Sequence, residues 1–141
     1  MIKVLPALIL AAWSLSAMAD SAVRVNNAWV REAPPGAHMM AGYMTIKNQG
    51  ASEIALTGVD SPAFDHVMLH ESRVVDGVAR MIHQDEIVIP AEGSVELKPG
   101  SFHLMMPAPE PRLVEGDTVD LMLTFSSGET IRVQADIRKK P

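Results

Sequence analysis

The chain has 141 residues, 12 Lys and Arg against 17 Asp and Glu, a net charge of −5 and no cysteine. Nucleic-acid binding needs a basic surface that this balance does not supply. Disulfides, thiolate metal sites and a lipid anchored on a cysteine sulfur all need a residue the sequence lacks. What is left is one domain of ordinary size that can bury its own core. Methionine is its oddity, with ten in the chain and eight of them beyond residue 19.

Residues 1–19 hold one lysine, Lys3, then an apolar run and the small-x-small signal Ala17-Met18-Ala19. They read as a secretory signal peptide, so the mature domain is expected to span 20–141, exported and, in a two-membrane cell, periplasmic. The apolar run is short for a span of about 20 residues. Pro6, Ser14 and Ser16 interrupt it, and no later stretch could cross a membrane.

The mature chain alternates in short runs. A first strand is expected over Val23–Arg31, then a loop at Ala33-Pro34-Pro35-Gly36. His38–Asn48 follows, with Met40, Gly42, Met44 and Ile46 on one face and Met39, Ala41, Tyr43 and Thr45 on the other. Glu53–Val59 makes a third strand. Asp65–Val74 places Val67 and Leu69 on one face and His66, Met68 and His70 on the other. Asp76-Gly77 is a hairpin signal, so Val78–Gln84 should fold back antiparallel. Ile87–Ile89 and Val95–Lys98 are short strands bounded by turn residues.

Ser101–Met106 is the stretch that gives the chain its character. It lies between Pro99-Gly100 and Pro107, with Phe102, Leu104 and Met106 facing one way and His103 and Met105 the other. Thr118–Phe125 and Thr130–Ile137 complete the set, joined by Ser126-Ser127-Gly128. No window carries a helical period. Short strands at regular intervals predict an all-β fold, a Greek-key β-sandwich of cupredoxin-like form.

Imidazole suits several transition metals, but a thioether suits few apart from copper. His103-x-Met105 therefore asks whether the chain supplies further soft donors. His70 and Met81 sit on the two arms of the expected hairpin, giving His70-x10-Met81-x21-His103-x-Met105. Two neutral imidazoles and two thioethers form an uncharged, soft set suited to Cu(I) and poorly suited to Zn(II) or Mg(II). Each residue alone would more often be packing or surface; only the joint pattern points to a metal. His38, His66, His83, Met39, Met40 and Met68 are further donors for which an ordinary structural role is the simpler reading, and Met106 is expected in the core.

With these residues in place the chain resembles the periplasmic copper chaperones of the PCu(A)C family, whose signature is H(M)-x10-M-x21-H-x-M. All four ligand positions and both long spacings match, and Glu71 stands where the optional methionine would be. Gly42-Tyr43-Met44-Thr45, Ile87–Pro90, Pro99-Gly100 and the run from Gly116-Asp117 to Phe125 also look like the family's framework. The resemblance implies a Cu(I) carrier with His70, Met81, His103 and Met105 as ligands. It implies delivery to the copper centre of a respiratory cytochrome c oxidase, with a thioredoxin-like assembly factor as a further partner. Some members carry a His- and Met-rich C-terminal extension linked to a second copper site; this sequence ends Arg138-Lys139-Lys140-Pro141, so a second dedicated site, above all one for Cu(II), is not expected.

Other functions fit less well. A blue-copper electron carrier needs a cysteine ligand. An enzyme is not expected: there is no His-Glu-x-x-His, no Gly-x-Ser-x-Gly and no three-ligand zinc pattern. A structural or adhesive sandwich remains the alternative, and it should bind no Cu(I) tightly. The signal-peptide reading predicts an exported form beginning at Asp20; an intact mass that retains residues 1–19 would overturn it.

Overall fold

A computed structural model describes residues 21–141, so the expected signal segment lies outside the described residues. Ten strands follow one another: β1 (Val23–Arg31), β2 (Met39–Asn48), β3 (Ile54–Asp60), β4 (Met68–Val75), β5 (Val78–His83), β6 (Ile87–Ile89), β7 (Gly93–Leu97), β8 (Phe102–Pro107), β9 (Thr118–Phe125) and β10 (Thr130–Arg138). No helix occurs among the described residues. The sequence-based strands recur within three residues at every end. The largest shift is at β4, which begins at Met68, leaving His66 exposed in the preceding loop.

Hydrogen bonding runs in the order β5-β4-β8-β2-β1-β10-β9-β3-β6, with β7 also paired to β2. This path folds over into two leaves, β5-β4-β8-β2-β7 and β10-β9-β3-β6, with β1 as the corner. β1 pairs antiparallel with β2 from Val23 to Val30, and parallel with β10 from Trp29 to Arg31. Within the pairing with β2 the register slips between Asn26 and Trp29, where Asn27 takes a φ of 52°. A bulge of this kind bends a strand and lets it serve both sheets of a sandwich.

The core lies between the leaves and follows the period-two pattern. Met40, Met44 and Ile46 of β2, Leu69 of β4 and Leu104 and Met106 of β8 face Leu56 and Val59 of β3 and Leu121, Leu123 and Phe125 of β9 in one apolar cluster. β8 sits unusually close to β2. A Cβ added at Gly42 would come within 3.2 Å of the Leu104 Cβ and 3.3 Å of the Met106 Cε. That close approach fixes β8, and with it His103 and Met105. Tyr43, expected on the outward face, is nonetheless buried, because Trp29 stacks on it at 4.8 Å and Arg31 lies over both rings.

The edge of the core is closed by one polar side chain. Asn48, 2% exposed, donates through Nδ2 to the carbonyls of Ser52 (2.8 Å) and Pro90 (3.1 Å) and accepts the Gly50 N–H (3.0 Å). It ties the end of β2 to the end of β6. Leucine here would leave those groups buried without partners, each costing about 1–3 kcal/mol. Asn48→Leu should lower the unfolding free energy by roughly 2–3 kcal/mol in urea titration, with little effect on the distant histidines.

Candidate metal centre

The β4–β5 hairpin and β8 build the site through register. Asp76 and Gly77 both have positive φ, 52° and 77°, and make the tight two-residue turn that their sequence favours. The turn sets Val75 opposite Val78 and hence His70 opposite His83 and Ser72 opposite Met81. On its other side β4 pairs with β8, His70 opposite His103 and Met68 opposite Met105. Directly opposed residues share a face of the sheet, as do residues two apart along a strand. One face therefore carries three histidines in a row, His83–His70–His103, with a methionine pair, Met68–Met105, alongside.

The two neighbours of His70 are not equally close in backbone terms. Gln84 N–H donates to the Leu69 carbonyl at 2.8 Å, which makes His70 and His83 a non-hydrogen-bonded pair. Ser72 N–H donates to the Ser101 carbonyl at 3.0 Å, which makes His70 and His103 a hydrogen-bonded pair. The former type brings Cα atoms to about 4.5 Å, the latter to about 5.5 Å. The ring centroids are nevertheless nearly equidistant, 5.9 Å from His70 to His83 and 5.8 Å to His103, both edge-to-face.

His103 is only 3% exposed, one of two buried polar residues among those described. Its Nδ1 lies 3.1 Å from the Ser101 carbonyl. A carbonyl can only accept, so Nδ1 carries the proton and Nε2 keeps its lone pair. That Nε2 is buried with no hydrogen-bond partner, and so is Nδ1 of His70. Two orphaned imidazole nitrogens on one face are costly unless they hold something, and a carbonyl-oriented histidine is how proteins present a metal ligand. Two imidazoles binding one ion through nitrogens about 2.0 Å from it have ring centroids about 5–6 Å apart, which the His70–His103 spacing matches. Among the described residues no three His, Asp or Glu side chains are gathered into a metal-holding group, and the soft donors on the same face beside this pair are the thioethers of Met105 and Met68.

Met105, half-buried, lies two residues from His103 on the same face, diagonal to His70. Met81 is diagonal to His70 on the opposite strand, a Cα offset of about 7–8 Å, and is 61% exposed. The fold thus sets His70 directly opposite His103 and places Met105 and Met81 each one row away from His70, on opposite sides of the histidine row. Glu71, in the place of the optional methionine, turns to the other face and pairs with Arg73 at 2.5 Å. His38 and His66 are exposed and outside the strands. Met68 and His83, read from sequence as ordinary residues, are the direct cross-strand partners of Met105 and His70.

A family model described as "Putative lipoprotein LpqE-like" matches residues 23–137. A protein of Leifsonia xyli subsp. xyli, "Putative lipoprotein Lxx21020", is 31% identical over 117 residues, 82% of this chain and 69% of its own length. Apo-DR1885 from Deinococcus radiodurans, solved in solution, is 29% identical over 99% of this chain and 97% of its own, with a TM-score of 0.63. Its Cu(I) form matches at 28% identity and TM-score 0.65, covering 92% and 86% of the two chains. The copper-bound PCuAC domain from PmoF2 superimposes with a TM-score of 0.70 over 86% of this chain and 95% of that domain, at 21% identity, a likeness of fold.

Burial, then the neighbouring His103 and His83, hold the His70 pKa below its ordinary value. A lowered pKa means the unfolded chain takes up the proton first, so apo stability is full above about pH 6.5 and declines as pH falls below it. His70→Gln should remove that share of the decline, seen as a smaller drop in denaturation midpoint between pH 7 and 5 than in the parent; an identical drop would show that His70 does not carry it.

Proposed function

Because this chain belongs to the LpqE-like family and has the PCuAC fold, we propose that it is an extracytoplasmic copper chaperone that binds one Cu(I) through His70, Met81, His103 and Met105 and passes it on. The observation that carries this reading is the pair of buried imidazole nitrogens without partners, Nδ1 of His70 and Nε2 of His103, flanked by the thioether of Met105. Cu(I) accepts such neutral, soft donors. The Cu(I) form of DR1885, whose sequence is 28% identical, lends support.

The ligands divide into a fixed part and a movable part. β8 is clamped to β2 at Gly42, so His103 and Met105 are preset. Met81 lies on an edge strand, exposed, with a flexible side chain that closes on the metal by reorienting. A carrier needs that asymmetry: a firm grip from within and one donor that a recipient can displace. The recipient we propose is the copper centre of a respiratory cytochrome c oxidase, with a thioredoxin-like factor assisting. The lipoprotein names of the family and of the Leifsonia relative, with the signal-like residues 1–19, support an exchange outside the cytoplasm.

Cu(I) titration against a chromogenic chelator should give one ion per chain. Met105→Leu and Met81→Leu keep apolar volume while removing a sulfur; each should weaken binding by at least the roughly tenfold that a lost outer-shell partner costs, with the fold intact. Parent-like affinity in both would sink the ligand assignment, and no tight Cu(I) in the parent would favour an adhesive sandwich. Affinity should be level at alkaline pH and fall through the histidine range, with a limiting slope of at most about two protons per metal. The depressed His70 pKa moves its share of that fall to lower pH. An affinity constant from pH 8 to 5 would mean that the histidines are not ligands.

A further inference from the structure

The proposed Cu(I) set leaves out the residue nearest His70 across the hairpin. His83 opposes His70 in a non-hydrogen-bonded pair, with ring centroids 5.9 Å apart. That spacing again fits two imidazoles on one ion, about 5–6 Å. The Asp85 carboxylate lies 3.4 Å from His83 Nε2, as the Ser101 carbonyl lies against His103 Nδ1. In each case one ring nitrogen is engaged by an oxygen and the other is left for a metal. The surroundings differ. His103 is buried, with Met105 two residues along the same face, whereas the His83 side chain is 61% exposed. A cleft of about 180 Å³, lined by Met68, His83 and Asp85 among others, opens at its side.

We propose that His70 and His83 form a second copper station, selective for Cu(II), that shares His70 with the Cu(I) site. It rests on the preceding reading only for the identity of the inner ion. Two imidazoles completed by water make a nitrogen–oxygen donor set, and among divalent first-row ions such a set holds Cu(II) most tightly. The exposed side of His83 leaves room for the ion's remaining water ligands. A neutral imidazole has one lone pair, so His70 serves one ion at a time. The two stations therefore exclude one another, and no dedicated C-terminal extension is required for Cu(II) to bind.

The test uses the purified chain, Cu(II) followed by electron paramagnetic resonance, and Cu(I) by chelator competition. His83→Ala should weaken Cu(II) binding by about tenfold or more and erase a nitrogen coupling from the spectrum, while Cu(I) affinity changes by less than about threefold. His103→Ala should do the reverse. Protein loaded with Cu(I) should refuse Cu(II). Cu(II) bound equally by parent and His83→Ala, an adventitious site elsewhere, overturns the station; full Cu(II) binding to the Cu(I)-loaded protein overturns the sharing of His70. Failure of the parent to bind Cu(I), with Cu(II) still lost in His83→Ala, would refute the inner site and leave the outer one standing.

Discussion

The centre depends on one strand being paired on both sides. β4 lies between β5 and β8, and at His70 both registers bring a histidine opposite. Because opposed residues share a face and successive residues alternate, a slip of one residue in either pairing would turn those side chains to the opposite face. Two different constraints hold the registers. The Asp76-Gly77 turn sets β5 against β4, and the core sets β8, where Leu104 packs between Leu69 and Gly42.

Burial gives this row of identical residues different chemistry. From the edge inward, His83 is exposed, His70 half-buried and His103 almost wholly buried. The outermost ring is open to solvent with a carboxylate 3.4 Å away, while the innermost is buried with a carbonyl at its Nδ1. The surroundings of the imidazole therefore change across three adjacent strands without any change of residue type. Burial, with the neighbouring His103 and His83, lowers the His70 pKa and keeps that ring neutral where an ordinary histidine begins to protonate.

Close packing and exposure are divided between the two ends of the site. Toward β2, Gly42 leaves room for Leu104 and Met106 where a larger residue would press on both. Toward β5, the hairpin ends in exposed Val74, Val75 and Val78, with Met81 on its outer arm. An edge hairpin with few buried contacts is the least stable part of such a fold, and it carries the exposed Met81 and His83.

The sequence by itself determined the strands, the core-facing residues of β2, β8 and β9, and the hairpin, because alternation and turn chemistry are local. It also held a register that went unread: a two-residue turn at Asp76-Gly77 pairs position 70 with 83 and 72 with 81, so the closeness of His83 and the offset of Met81 follow from counting. Spacing along the chain, by contrast, gave Met81 equal standing with His103. Only the tertiary structure decided that β8 lies beside β4 with His103 opposite His70, that Met68 meets Met105, and that His103 is buried. Those facts come from the pairing of segments some 30 residues apart and from packing between leaves. Local periodicity says which face a residue takes; it does not say which strand will lie against that face.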